Sequence, residues 1–373
     1  MTSAAAATEH DAVYMRRALA LATLGWGQTA PNPMVGAVVV ANGQIVGEGF
    51  HAHYGGPHAE VMALERAAVL TRDATVYISL EPCAHYGKTA PCADALIAAD
   101  VGRVVMAVSD PTRVAGGGAT RLRNAGIQVD GDVERDAAIE LNAPFFYAVH
   151  AARPWVTLKL ALSADGAIAE ADGKQRWLTG AASRAEVHRL RANTDAIAVG
   201  VGTVLADDPQ LTVRDVEAPR IAPKRVVFDS TLRTPMTSRL MQTAGEVETI
   251  LVARPGVAPD RQEAAEAAGA SMLVEATLAS SLETLRSRGV RSLFVEGGAQ
   301  LAGSLLREGL VDRLIIFRTP VELGANALKA FASAPDGFEA ALSDARHRVV
   351  EQRRFGDDTM TVYALREVPC SPG

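Results

Sequence analysis

The strongest constraint on this fold is a set of four side chains drawn from three separate stretches: His58 and Glu60 in His58-Ala-Glu60, Cys83 in Pro82-Cys83, and Cys92 in Pro91-Cys92. One imidazole and two thiols are zinc donors, and a carboxylate beside them is a base. Three protein ligands leave a fourth position open for water, which separates catalytic zinc sites from structural ones closed by four. Any fold that uses these residues must bring all three stretches to one point. Glu60 stands two positions from His58, a spacing that does not put both side chains on one helix face. It is therefore expected to exchange protons with the water rather than complete the ligand set. The expected metal ligands are His58, Cys83 and Cys92, and the expected catalytic residue is Glu60.

At 373 residues the chain exceeds what one hydrophobic core supports, so two domains are expected. A helical pattern over Asp11–Leu24 precedes two short apolar runs, Val35–Val40 and Ile45–Phe50, around Asn42-Gly43, a strong hairpin signal. Helix His58–Val69, strand Thr75–Leu80, helix Ala93–Ala99 and strand Arg103–Val108 continue a layered α/β pattern. A helix over Glu134–His150 closes this series. The boundary is expected at Ala151-Ala-Arg-Pro154, giving domains 1–150 and 151–373. A second α/β series follows, with strands at Trp155–Ala161, Ala196–Val199, Arg225–Phe228, Thr249–Val252, Ser292–Val295 and Arg313–Phe317. Arg348–Phe355 and Thr359–Leu365 predict a terminal hairpin.

The net charge of −6 disfavours a broad surface for nucleic acid or anionic lipid. Three cysteines in so long a chain argue against a disulfide framework and for a reducing compartment. No stretch approaches the roughly 20 apolar residues that span a bilayer, and the N-terminus has no signal-peptide pattern. A cytoplasmic location is expected.

Eight residues, Ala84–Pro91, separate Cys83 from Cys92, an enlargement of the H-x-E and P-C-x-x-C pattern of zinc nucleobase deaminases. Thr29-Ala-Pro-Asn-Pro-Met-Val-Gly36, Gly49-Phe-His51, His58-Ala-Glu60 and Glu81-Pro-Cys-Ala-His-Tyr-Gly-Lys-Thr-Ala-Pro-Cys92 resemble the deaminase domain of bifunctional riboflavin biosynthesis proteins. The resemblance implies a cytidine-deaminase-like three-layer domain in which Asn32 and His51 contact a pyrimidine. His85 and Lys88 would hold the ribose phosphate, and an ammonium suits that partner.

In the second half, Lys159 interrupts an apolar strand, and Arg176-Trp177-Leu-Thr179, Val201-Gly-Thr203, Leu211-Thr-Val-Arg214 and Glu296-Gly-Gly298 read as loops at strand ends. Open α/β sheets bind ligands beyond the carboxyl ends of their strands. The glycine pair lacks the full G-x-G-x-x-G pattern, so no Rossmann fold is inferred. This half resembles the reductase domain of the same proteins, similar in fold to dihydrofolate reductase. The resemblance implies NADPH contact by Ala161, Trp177, Thr179, Thr203, Asp207, Ser230, Gly298, Ala299, Gln300, Leu301, Ala302, Gly303 and Ser304. Substrate contacts would come from Arg191, Leu211, Arg214 and Glu296, the arginines as bidentate clamps on phosphate, and Lys159, a lysine in an apolar strand, is expected as a catalytic or substrate-binding group beside them.

The implied chemistry is deamination of 2,5-diamino-6-ribosylamino-4(3H)-pyrimidinone 5′-phosphate, then reduction of its ribosyl group to ribityl. The expected cofactors are Zn²⁺ and NADPH. The expected partners are that small pyrimidine ribotide and further copies of the chain in a homo-oligomer, with neither nucleic acid nor membrane.

Overall fold

Alternation decides the architecture of the first unit. Strand β1 (Gly36–Ala41) turns Val38 and Val40 to one face and Ala37 and Val39 to the other, and all four are buried, so both faces of the sheet must be covered. In the computed structural model, which describes residues 9–87, 90–112, 114–170, 178–331, 342 and 347–369, this is what the helices do. β1 pairs with β2 (Gln44–Phe50) and β3 (Thr75–Ile78) antiparallel, and β4 (Arg103–Met106) and β5 (Gln128–Asp130) extend the sheet in parallel, in the order β2-β1-β3-β4-β5. Val38 and Val40 pack with Met15 and Leu19 of α1 (Glu9–Ala22). Ala37 and Val39 pack with Ala63 of α2 (Ala59–Ala67), Leu96 of α3 (Cys92–Ala98) and Leu122 of α4 (Gly118–Asn124). The result is three layers.

Two local features set the position of α2. Asn42 and Gly43 both adopt positive φ, 50° and 74°, the tight turn that returns β2 along β1. A Cβ added at Gly49 would lie 2.2 Å from the Ala59 carbonyl oxygen, so only glycine lets β2 touch the first turn of α2. Asp11 ties the layers electrostatically. Its buried carboxylate accepts from Tyr77 Oη at 2.8 Å and from Arg103 Nη1 and Nη2 at 2.8 and 3.1 Å, while Arg103 Nε donates to Asp130 at 2.7 Å.

The single helix expected over Glu134–His150 is two helices, α5 (Arg135–Leu141) and α6 (Ala143–Ala148). Between them Asn142 turns its amide to Met34, accepting from its N–H at 2.8 Å and donating to its carbonyl at 2.9 Å. Pairing a buried backbone on both sides outweighs continuing the helix.

Nine of the described strands form the main sheet of the second unit. They are β6 (Trp155–Leu162), β8 (Ala196–Gly200), β9 (Lys224–Phe228), β10 (Thr249–Ala253), β11 (Ser271–Val274), β12 (Ser292–Glu296), β13 (Arg313–Arg318), β15 (Arg348–Phe355) and β16 (Asp358–Ala364), in the order β11-β10-β9-β8-β12-β6-β13-β16-β15. The pairings are parallel from β11 to β13 and antiparallel through the terminal hairpin, the dihydrofolate-reductase-like α/β arrangement expected. Two short strands, β7 (Ala167–Ala169) and β14 (Leu328–Lys329), pair beside it. Helices α7 (Ala181–Ala192), α8 (Val201–Asp207), α9 (Arg239–Gln242), α10 (Pro259–Ala267), α11 (Leu278–Ser287) and α12 (Ala299–Arg307) connect the strands. Leu158, Leu160 and Leu162 of β6 enter the main core with Val295, Leu305 and Leu314.

The chain divides into compact units at Met1–His150 with Val368–Gly373, and Ala151–Glu367. The division 1–150 and 151–373 read from the sequence differs at its far end, because Val368, an apolar side chain past the last strand, finds cover on the first unit's core. Within the second unit the buried Asp312 carboxylate accepts two hydrogen bonds of 2.7 Å from Arg153 and one of 2.8 Å from the Val156 N–H, and pairs with Arg366 at 3.0 Å.

Candidate active sites

In the first unit the loops at two helix starts converge. His58 is the N-cap of α2 and Cys92 the first residue of α3, while Cys83 lies in the loop that follows β3. His58 Nδ1 is 3.1 Å from Cys92 Sγ and 3.6 Å from Cys83 Sγ, and the three donor atoms all lie within 4.8 Å of one another. The Cys92 N–H donates to Cys83 Sγ at 3.3 Å. The Cys83 thiol is held down to about 4, first by the hydrogen bond from the Cys92 thiol and then by His58, while that same bond and burial push Cys92 up. One imidazole and two sulfurs at this separation suit zinc, with one coordination position to spare. Glu60, in the first turn of α2, is buried, and burial lifts its carboxyl above the usual carboxylate range while the charge of His58 opposes.

Side chains around the cluster fix its shape. His51 Nδ1 is 3.1 Å from the Pro57 carbonyl oxygen, so that nitrogen carries the proton and Nε2, 3.3 Å from Asn32 Nδ2, accepts from it. The Asn32 amide is thereby oriented, and the His51 ring meets the His58 ring edge-on with centroids 5.3 Å apart. His85 follows Cys83, and its Nδ1 is buried with no hydrogen-bond partner among the described residues. Lys88 lies outside the described residues. Glu81 is a feature that the sequence reading missed: its carboxylate accepts from the N–H groups of Asp110, Gly117 and Ala119 at 3.1, 3.1 and 3.0 Å. It clips the Pro82-Cys83 loop to the start of α4. At that contact Gly118 is obligatory, because a Cβ there would stand 1.8 Å from the Pro82 carbonyl oxygen.

In the second unit the strand register places Lys159 of β6 beside Glu296, the last residue of β12. Lys159 Nζ is 3.7 Å from Glu296 Oε2, and Arg191 on α7 pairs with the other carboxylate oxygen and donates to the Thr212 carbonyl at 2.8 Å. Burial would raise Glu296, but Arg191 and Lys159 outweigh it and hold the carboxyl down at about 2. Burial pushes Lys159 below its usual range, against the pull of Glu296. Leu211 is buried with φ of 50°, and Arg214 follows three residues on, its Nη1 donating to Gln210 at 3.0 Å and Thr212 Oγ1 at 2.6 Å.

The remaining expected cofactor contacts lie around the carboxyl ends of the parallel strands. Ala161 is near the end of β6, Thr203 and Asp207 are on α8 directly after β8, Ser230 follows β9, and Gly298 caps α12 after β12. Thr203 Oγ1 would be 3.5 Å from a Cβ on Gly298, which brings the starts of α8 and α12 together. Along α12, Leu301 and Ala302 lie in the core, so their side chains are committed to packing. Thr179 stands before α7, its carbonyl held by Arg184 at 2.6 Å. Trp177 lies outside the described residues. A helix start preceded by the glycine pair Gly297-Gly298 suits a dinucleotide phosphate.

Comparison with known proteins assigns each unit. Residues 8–108 match the family of the cytidine and deoxycytidylate deaminase zinc-binding region, and residues 154–360 match the RibD C-terminal domain. Fold and sites together define a two-domain enzyme that joins a zinc-dependent deaminase to an NADPH-dependent reductase. The chain is 42% identical over 319 residues to the riboflavin biosynthesis protein RibD of Aquifex aeolicus, spanning 85% of this chain and 88% of that one. It is 40% identical over 364 residues to RibD of Escherichia coli, 93% and 97% of the two chains. Among solved structures, RibD of Acinetobacter baumannii superposes with a TM-score of 0.79 at 37% identity over 95% of this chain and 99% of the other. The diaminohydroxyphosphoribosylaminopyrimidine deaminase/5-amino-6-(5-phosphoribosylamino)uracil reductase of Thermotoga maritima gives 0.80 at 33%, over 95% and 98%. The chain belongs to the RibD family of bifunctional riboflavin biosynthesis proteins.

Proposed function

We propose that the first domain, residues 1–150, deaminates 2,5-diamino-6-ribosylamino-4(3H)-pyrimidinone 5′-phosphate, and that the second, residues 151–373, reduces the ribosyl group of the product to ribityl, giving 5-amino-6-ribitylamino-uracil 5′-phosphate. The observation that carries the reading is the meeting of His58 Nδ1, Cys83 Sγ and Cys92 Sγ within 4.8 Å, next to a buried Glu60. When bound, zinc supplies Lewis acidity that makes water nucleophilic near neutral pH. Glu60 takes the proton of the attacking water and returns it to the departing amino nitrogen, so the carbon–nitrogen bond breaks and ammonia leaves. Its raised pKa suits a group that must hold that proton between the two events. Asn32, oriented by His51, presents its amide to the pyrimidine, and His85 and Lys88 take the ribose phosphate.

In the second unit NADPH supplies hydride when bound. The family resemblance gives Ala161, Trp177, Thr179, Thr203, Asp207, Ser230 and the segment 298–304 as the residues that hold it. Arg191, Leu211 and Arg214 hold the ribotide, and Lys159 and Glu296 meet its ribose. We further propose a cytoplasmic homo-oligomer. No described helix is long and apolar enough to cross a membrane, and β15 is the last strand of its sheet, paired among the described residues only with β16, and an edge strand can pair with a second chain.

The test is Glu60→Gln. Zinc content should stay at the wild-type level while ammonia release falls at least about 100-fold. NADPH oxidation by the same variant, given deaminated substrate, should be unchanged. Wild-type ammonia release would remove Glu60 from the chemistry, and absence of NADPH oxidation with any pyrimidine ribotide would remove the reductase assignment.

A further inference from the structure

The loop from Asp208 to Asp215, which carries Leu211 and Arg214, is held in an unusual backbone shape: Asp208, Leu211 and Asp215 have φ of 41°, 50° and 61°. Residues with a Cβ seldom adopt this region, and three in one short loop persist only where neighbours fix them. Two of those fixings come from α7. Arg191 donates to the Thr212 carbonyl at 2.8 Å, and one helical turn earlier His188 Nδ1 accepts the Arg214 N–H at 3.1 Å. His188 is buried. We propose that neutral His188 is a positioning residue for the reductase site, holding the Arg214 backbone so that its guanidinium meets the substrate phosphate, and that protonation of the ring releases it. This rests on the reading of Arg214 as a phosphate contact.

The chemistry of the contact requires the neutral ring. An N–H donor needs a lone pair on Nδ1, so the single ring proton sits on Nε2, and a doubly protonated imidazole has no acceptor left for Arg214. The charges facing His188 disfavour the cation further. Arg191 lies on its own helix and Arg214 on the loop, opposed by Asp215 on the loop and Glu296 at the end of β12, and burial with the two arginines sets the net direction downward from the ordinary imidazole range. The folded site therefore keeps the acceptor through neutral pH and loses it only as the solution turns acidic. The phosphate contact weakens in the same direction.

The experiment compares NADPH oxidation by the full-length wild type, His188→Asn, His188→Leu and Arg214→Ala, with deaminated pyrimidine ribotide as substrate, from about pH 8 to about pH 5. Asparagine places an oxygen acceptor close to the Nδ1 position and does not titrate. At pH 8 His188→Leu should raise KM for the ribotide about ten-fold, the usual scale for orphaning a buried donor, with KM for NADPH unmoved, while His188→Asn stays within about three-fold of wild type by the same measure. Substrate phosphate titrates in both proteins, so the informative quantity is the ratio of kcat/KM between wild type and His188→Asn, which should fall as pH drops. A ratio constant with pH overturns the proposal even if leucine prevents folding, and so does a His188→Asn KM as high as that of a folded leucine variant. Arg214→Ala separates the two levels. A raised ribotide KM there with no effect at His188 sinks the positioning role alone, and an unchanged KM in Arg214→Ala sinks both it and the phosphate reading beneath it.

Discussion

Replacing Gly118 by alanine tests whether the metal site depends on a contact that involves no ligand. The added Cβ would stand 1.8 Å from the Pro82 carbonyl oxygen and 2.9 Å from its carbonyl carbon. Both are backbone atoms, so no side-chain rotation relieves the overlap. Ordinary van der Waals separation demands a displacement of more than about 1 Å, either of the first turn of α4 or of the Pro82-Cys83 peptide. Glu81 clips those two segments together through the Gly117 and Ala119 N–H groups, so movement of either pulls on Cys83. Misplacement on that scale costs about 100-fold in catalysis, and disturbing groups behind metal ligands costs about 10- to 100-fold in metal affinity. Gly118→Ala should therefore lose zinc to a competing chelator at about 10- to 100-fold lower chelator concentration and lose deamination in parallel. NADPH oxidation with deaminated substrate should be unaffected. Gly245→Ala, where a Cβ meets nothing within 4 Å, is the control. Stoichiometric, tightly held zinc with wild-type ammonia release in Gly118→Ala would refute the claim that this contact sets the position of Cys83.

Three further outcomes are expected. Asp11→Ala strips a buried carboxylate from Tyr77 and Arg103 and should lower the stability of the first unit by about 3–5 kcal/mol, read from denaturant midpoints; Asp11→Asn, which keeps one acceptor, should cost less. Glu296 has a folded pKa of about 2 against about 4.3 unfolded, so its contribution is full above about pH 4.5 and disappears as pH falls through about 2. The stability gap between wild type and Glu296→Gln should accordingly shrink on acidification, and a gap independent of pH would contradict the pairing. A fragment beginning at Ala151 keeps Arg153 on Asp312 and should fold and oxidise NADPH, whereas one beginning at Val156 should melt at a lower temperature.

Local chemistry is what the sequence displayed well. The hairpin at Asn42-Gly43 and the helix of Asp11–Leu24, which ends in a short 3₁₀ turn at Thr23–Gly25, needed only neighbours in the chain. The zinc set was legible because thiols, an imidazole and a carboxylate at this spacing have few other uses. Features made by distant partners were not legible. Nothing near Asn142 announces that its amide will leave the helix for Met34, and β5 and β11, with three and four residues, are too short to show an alternating pattern. Glu81 reads as an ordinary acidic residue until Asp110, Gly117 and Ala119 turn their N–H groups toward it. His188 had a signal of sorts, standing one helical turn before Arg191, but a lone histidine on a helix is as often filler as function. Its meaning comes from a loop twenty-odd residues later in the chain.

The Asp312 carboxylate receives Arg153 near the start of the second unit and Arg366 near its end. A module whose entry and exit are pinned to one anion behaves almost as a closed ring of polypeptide. It could be spliced into a host sequence at a surface turn without stretching that host, or reopened at the exposed Gly356-Asp357 tip with its original ends joined by a short peptide.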